Sequence, residues 1–193
     1  MFAKFPTSTT GPVAMVALSS NTVDYEIELV AVVGKRAERV SEDRAWEHVA
    51  GLMVGQDLSE RAMQFAPPVP QFSLGKSFPG FSPTGPAIVS LDGISDPDAL
   101  HIGCRVGDEV LQAGSTRVLL FGVPELVSRL SRICTLLHGD TIWTGTPAGV
   151  GRGRTPARYL AVGETLVSTI SSVGEITTTF VDALDHVVRA EGA

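Results

Sequence analysis

Three carboxylates alternate with apolar residues in Asp24-Tyr25-Glu26-Ile27-Glu28. On a strand, successive side chains point to opposite faces, so Asp24, Glu26 and Glu28 share one face and Tyr25, Ile27 and Leu29 the other. Neighbouring carboxylates repel unless positive charge lies between them. A divalent cation such as Mg²⁺ or Mn²⁺, which favours hard oxygen ligands, meets that need. The plainer account is an acid-decorated solvent face on an amphipathic strand. Asp57, in Val54-Gly55-Gln56-Asp57-Leu58-Ser59-Glu60-Arg61, sits at a glycine-containing bend and is either a further oxygen donor or a helix-end cap. Lys76 is preceded by Gly75 and followed by Pro79 and Gly80, in a loop too apolar for simple solvated surface. Its ammonium either neutralises an anionic substrate or a developing enolate, or merely reaches solvent. Thr144–Gly151 (TGTPAGVG) is glycine-rich but fits neither GxGxxG nor GxxxxGK[ST]. A turn that brings backbone N–H groups and the Thr146 hydroxyl to a carboxylate suits it better.

These residues need elements to hold them. Thr22–Gly34 alternates and then becomes continuously apolar, which predicts a long strand entering the core. Ser41–Met53 reads as a helix: Ser41 caps it, Glu42 and Asp43 suit the first turn, and Ala45, Val49 and Met53 share a face. Asp57 would follow that helix. Pro67, Pro68 and Pro70 open an irregular stretch to Pro86, long enough to suggest function. Arg105–Gln112 predicts a hairpin turning at Gly107-Asp108. Pro124–Ile133 predicts a second helix with Leu126, Val127, Leu130 and Ile133 inward. Strands follow from Thr141 and Thr165, the last at Glu175–Val181. Strands dominate, and no internal repeat is visible.

Composition narrows the function. The chain has 193 residues, 15 Lys+Arg against 21 Asp+Glu, a net charge of −6, and 44% hydrophobic residues against 19% charged. That length suits one domain with a sizeable core. The composition is too apolar for a disordered chain, and the apolar excess calls for extensive burial or a partner surface. The acidic balance argues against nucleic-acid binding. No apolar run approaches the roughly 20 residues of a membrane span, and cytoplasm is the expected compartment. Cys104 and Cys134 form no CxxC pattern and read as two buried free thiols. His48, His101, His138 and His186 lie apart in sequence and offer no nucleophilic constellation.

Taken together, FAKFPTSTTGP at Phe2–Pro12, VDYEIELVAVVGK at Val23–Lys35, GQDLSERAMQ at Gly55–Gln64, GKSFPGFSPTGP at Gly75–Pro86 and TGTPAGVG at Thr144–Gly151 resemble the catalytic domain of the fumarylacetoacetate hydrolase family. The resemblance implies a single domain over residues 1–193, mainly β with short helices (α+β), as a mixed β-roll or barrel. It also implies a homodimer and a Mg²⁺ or Mn²⁺ site. By position, Glu26, Glu28 and Asp57 match the family's metal-binding carboxylates, leaving Asp24 outside the ligand set. Lys76 matches the active-site lysine. Arg61 and Gln64 match polar residues beside the substrate, Thr146 a residue contacting its carboxylate, and Gly80 a point of close backbone approach.

The implied chemistry is that of a 2-oxo or 1,3-dicarbonyl acid whose enolate is stabilised by metal and lysine. C–C hydrolysis is the commonest family activity. Isomerisation, decarboxylation or a tailoring reaction needs no water activation, and an idle ligand- or partner-binding relative is the third reading. The family's hydrolases carry a general-base histidine on a lid upstream of FAKFP. The expectation here is a domain without that lid, since none of the four histidines matches. Gln56, Ala62 and Pro79 also depart from the family pattern, standing where Asn, Asp and Asp are usual.

Overall fold

The computed structural model describes residues 1–183. The chain runs through β1 (Thr9–Thr10), β2 (Val13–Ala17), β3 (Val23–Asp24), β4 (Ile27–Val33), β5 (Val49–Gln56) and β6 (Ser59–Glu60) to two single-turn helices, α1 (Arg61–Gln64) and α2 (Phe72–Gly75). Then come β7 (Ser82–Val89), β8 (His101–Val106), β9 (Glu109–Ser115), α3 (Val123–Ser131), β10 (Thr141–Trp143), β11 (Thr165–Ile170) and β12 (Gly174–Val181). Two mixed five-stranded sheets result, ordered β1-β7-β5-β4-β10 and β2-β12-β11-β8-β9, with β3 and β6 as a separate ribbon. The sheets meet where β12 packs on β7 and β5, β11 on β5, and β8 on β4. This is the β-dominated roll with few short helices that the resemblance implies.

The apolar run at β4 explains the first sheet. Every residue of β4 is buried, as a strand covered on both faces requires. Ile27, Leu29, Ala31 and Val33 face the shared core with Leu52, Val54, Leu166, Ile170, Ile176 and Phe180. Glu28 alternates to the opposite face, on the side of Val30 and Val32.

Five expectations change. The strand predicted over Thr22–Gly34 is broken at Tyr25-Glu26, where side-chain amides replace ladder partners: Gln56 Oε1 accepts from Glu26 N and Gln112 Oε1 from Ile27 N. The helix predicted over Ser41–Met53 is a 3₁₀ segment at Glu42–His48 that gives way to β5, and the Ser41 side chain makes no cap. Asp57 therefore follows a strand. The irregular stretch to Pro86 contains α2 and the start of β7. Pro83 and Pro86 are tolerated there because the outer neighbour, β1, is only two residues long. In α3, Val127 is fully buried and Leu126 and Leu130 pack against the core, but Ile133 lies beyond the Arg132 cap, where helical spacing no longer holds, and is 78% exposed. Cys134, also past that cap, is exposed, whereas Cys104 is buried. The hairpin forms as expected, with Gly107 at φ +56°.

Candidate metal and substrate site

Three elements converge on the carboxylates. Glu26 sits in the break before β4, Glu28 one residue inside it, and Asp57 just past β5, where Asp57 N donates to Glu26 O at 2.8 Å. One ligand oxygen of each lies within 4.8 Å of the others. Glu28 and Asp57 are buried and Glu26 nearly so. The structure thus brings together the three carboxylates that the resemblance implied. No ordinary solvent face looks like this.

Lys76, at the end of α2, places Nζ 2.7 Å from Glu26 Oε2 and 2.6 Å from Asp57 Oδ2, and is 2% exposed. The reading of a lysine head in solvent is therefore set aside. Burial opposes its charge, but Asp57 and Glu26 on either side outweigh that and hold its pKa above the usual lysine range. Arg61 reaches Asp24 Oδ2 through Nε at 2.8 Å, Glu26 Oε1 through Nη2 at 2.6 Å and Gln64 Oε1 through Nη1 at 2.7 Å. Its helix is started by Glu60, whose carboxylate accepts from Ala62 N and Met63 N.

The Thr144–Gly151 turn approaches from the other side. Gly145, at φ +93°, aims its N–H at Glu28 Oε2, 2.9 Å away. An L side chain rarely adopts that backbone conformation. The Thr146 hydroxyl donates to Ile27 O at 2.8 Å and accepts from Gln112 Nε2 at 2.7 Å. Its single proton is thus committed to the strand. Gly80, at φ +78° over Val16, turns the loop before Phe81, whose carbonyl accepts from Lys4 Nζ at 3.2 Å.

Glu28 is the electrostatically unbalanced member. Burial first, then Asp57 and Glu26, pushes its pKa up to about 8, and the Gly145 N–H and Lys76 offset this only in part. Buried carboxylates crowded in this way offer hard oxygen donors of the kind a divalent cation takes.

Sequence reasoning missed two residues here. Lys4 Nζ lies 2.5 Å from Asp57 Oδ1 and 2.6 Å from Lys76 O, and burial lowers its pKa despite Asp57. Its signal was the one used for Lys76, a lysine in an apolar segment, here between Phe2 and Phe5. Gln112 joins β4 to the Thr146 turn, and no local pattern marks an amide for such a task. Among the described histidines, His48 Nδ1 meets the carbonyls of Lys35 and Arg36. None contacts the three carboxylates, and His186 lies outside the described residues. Two open clefts of about 380 and 360 Å³ lie elsewhere, one beside Lys35 and Arg39, the other on β8, β9 and β11.

The family model described as fumarylacetoacetate (FAA) hydrolase C-terminal matches residues 1–181. The chain belongs to the fumarylacetoacetate hydrolase family. Among members, it is 40% identical over 178 residues to Homo sapiens "Oxaloacetate tautomerase FAHD2A, mitochondrial", covering 91% of this chain and 57% of that protein. A Mycobacterium smegmatis protein provisionally named HpcE has a crystal structure that superposes with a TM-score of 0.91 at 52% identity, covering 93% of this chain and 66% of that one. Maleylpyruvate hydrolase from Sphingobium sp. SYK-6 gives 0.80 at 28% identity, covering 92% and 62%. The chain spans a little over half the length of the curated relatives it matches.

Proposed function

We propose that this chain forms the ion- and substrate-binding part of an enzyme that converts 2-oxo or 1,3-dicarbonyl acids by way of an enolate. The buried triad of Glu26, Glu28 and Asp57, with Lys76 held against two of its members, carries this reading. Three hard carboxylate donors fit Mg²⁺ or Mn²⁺. When bound, such an ion supplies Lewis-acid stabilisation of negative charge on a substrate oxygen. The Lys76 ammonium, fixed by two carboxylates, is preorganised to donate to the same developing charge. Arg61 and Gln64 line the substrate, the Thr146 turn receives its carboxylate, and Gly80 lets the Lys76 loop come close. Exposed apolar side chains such as Val13, Ile88 and Val110 fit a homodimer, which light scattering checks.

Among reactions that share an enolate, keto–enol isomerisation is favoured. A relative at 40% identity is named a tautomerase, and the step moves a proton without adding water. C–C hydrolysis is the second reading, favoured by the likeness to maleylpyruvate hydrolase. Proton NMR of a 2-oxo diacid in D₂O with the protein and Mg²⁺ separates them. Metal-dependent exchange beside the carbonyl with an intact carbon skeleton supports isomerisation, and cleaved acids support hydrolysis. Neither outcome, together with Mn²⁺ binding unchanged in Glu28→Gln, sinks the proposal. Lys76→Met should slow exchange about 100-fold, well beyond its effect on Mn²⁺ affinity.

A further inference from the structure

Asp57 is held between two ammonium groups. Lys4 Nζ lies 2.5 Å from its Oδ1 and Lys76 Nζ 2.6 Å from its Oδ2. The two lysines are engaged differently. An ammonium has three N–H groups. Lys4 commits all of them: besides Asp57 it donates to the Lys76 carbonyl at 2.6 Å and the Phe81 carbonyl at 3.2 Å. The Trp143 ring, its centre 5.3 Å from Nζ, covers this ammonium, and the side chain is 7% exposed. Among the described residues, Lys76 donates to Glu26 and Asp57, which leaves one N–H uncommitted. Lys76 can therefore serve a ligand, whereas Lys4 has no donor left for one.

What Lys4 does instead is fix positions. Its acceptors come from three segments: the turn just past β5, the end of α2 and the entry to β7. Asp57 is thereby tied to two main-chain carbonyls through a single buried cation and cannot rotate freely. Each of its oxygens retains a lone pair. An ion that took both oxygens at once would meet both ammonium charges, and an ion that took one oxygen would meet only one. Ca²⁺ accepts six to eight oxygens in flexible arrangements, with carboxylates often bidentate, whereas Mg²⁺ is smaller and demands a near-ideal octahedron. A rigid carboxylate that offers one oxygen suits the smaller ion.

We propose that Lys4 sets the ion preference of the site, holding Asp57 as a fixed one-oxygen donor that favours Mg²⁺ over Ca²⁺. This rests on the reading of Glu26, Glu28 and Asp57 as an ion site. Lys4 acts through Asp57 and is a positioning residue. A lysine that merely supported the fold would, when removed, weaken both ions alike, because they carry the same charge.

The test measures Mg²⁺ and Ca²⁺ affinities by competition against Mn²⁺, followed through the electron paramagnetic resonance of free Mn²⁺. Relative to wild type, Lys4→Met should move the ratio of the two affinities about tenfold toward Ca²⁺. Lys4→Arg, which keeps the charge and several donors, should restore most of the wild-type ratio. Lys4→Gln retains an N–H for the carbonyls of Lys76 and Phe81, and takes the place of Lys4→Met, with the same expectation, if that variant fails to fold. A ratio within twofold of wild type, whatever the loss in both affinities, overturns the assignment. So does a ratio displaced as far in Lys4→Arg as in Lys4→Met. A wild type that binds none of the three ions overturns the parent reading instead, and this assignment with it.

Discussion

Asp24 and Glu28 lie four residues apart and are both buried, yet they occupy opposite kinds of environment. Asp24 accepts from Tyr25 N, Gly151 N, Arg152 N and Arg61 Nε, all between 2.7 and 2.9 Å. Its charge is met by a guanidinium and three backbone donors, and the network is closed. Glu28 accepts one described N–H, from Gly145, and faces two further carboxylates. A buried charge persists when donors saturate it. Where they do not, the deficit becomes a demand for a cation. The first network holds the fold together at the β3–β4 break, and the second leaves a place for an ion.

Breaking the closed network should have the largest effect on stability. Asp24→Asn leaves Arg61 buried with one of its two carboxylate partners gone, and removing one partner of a buried pair costs about 3–5 kcal/mol. Urea denaturation of the ion-free protein measures it. A loss under 1 kcal/mol would mean that Arg61 relaxes onto Glu26 alone, and the contrast between the two networks would weaken. Glu28→Gln should do the reverse. It removes like-charge crowding and leaves the ion-free fold at least as stable, while Mn²⁺ affinity falls by about 100-fold, at or beyond the range seen for outer-shell partners. Titration calorimetry checks that loss.

A smaller steric effect sharpens the same contrast. Gly151 delivers its N–H to Asp24, and a Cβ there would lie 2.7 Å from Asp24 Oδ1 and 1.8 Å from the Arg158 carbonyl oxygen. Gly151→Ala must therefore move backbone, at about 1–3 kcal/mol. Gly145→Ala tests the open network instead. No atom stands within 4 Å of its Cβ, so only the φ of +93° resists, and the loss should be smaller.

The two networks were unequally legible in the sequence. The triad and Lys76 could be placed because their motifs are local and resemble a family pattern. Asp24's role could not, because its partner Gly151 lies 127 positions away. Strand alternation alone put Asp24 beside Glu26 and Glu28. Only the break at Tyr25-Glu26, set by the distant amides of Gln56 and Gln112, separates them. The strand β4 was readable because burial on both faces leaves a continuous apolar run. β5 was not, since Ala45, Val49 and Met53 match a helical face as well as a 3₁₀ turn leading into a strand. Lys4 was passed over although it met the criterion applied to Lys76.

The last expected effect is a slope with pH. Glu28 titrates near 8 in the ion-free fold, against an ordinary value of 4.5. A carboxyl raised on folding binds its proton more tightly in the native state, so ionising it favours unfolding. Its cost is absent below about pH 4.5, grows through the interval and is complete above about 8. Ion-free stability should therefore fall as pH rises from 5 to 8, by at most about 1.4 kcal/mol per unit for one proton. Glu28→Gln should flatten the slope, and saturating Mg²⁺ should remove it, because the ion takes the ionised carboxylate and its tighter binding at higher pH offsets the fall. Thermal unfolding of wild type and Glu28→Gln at pH 5, 6.5 and 8, with and without Mg²⁺, measures all four slopes. Parallel slopes in the two ion-free proteins would place the deficit somewhere other than Glu28.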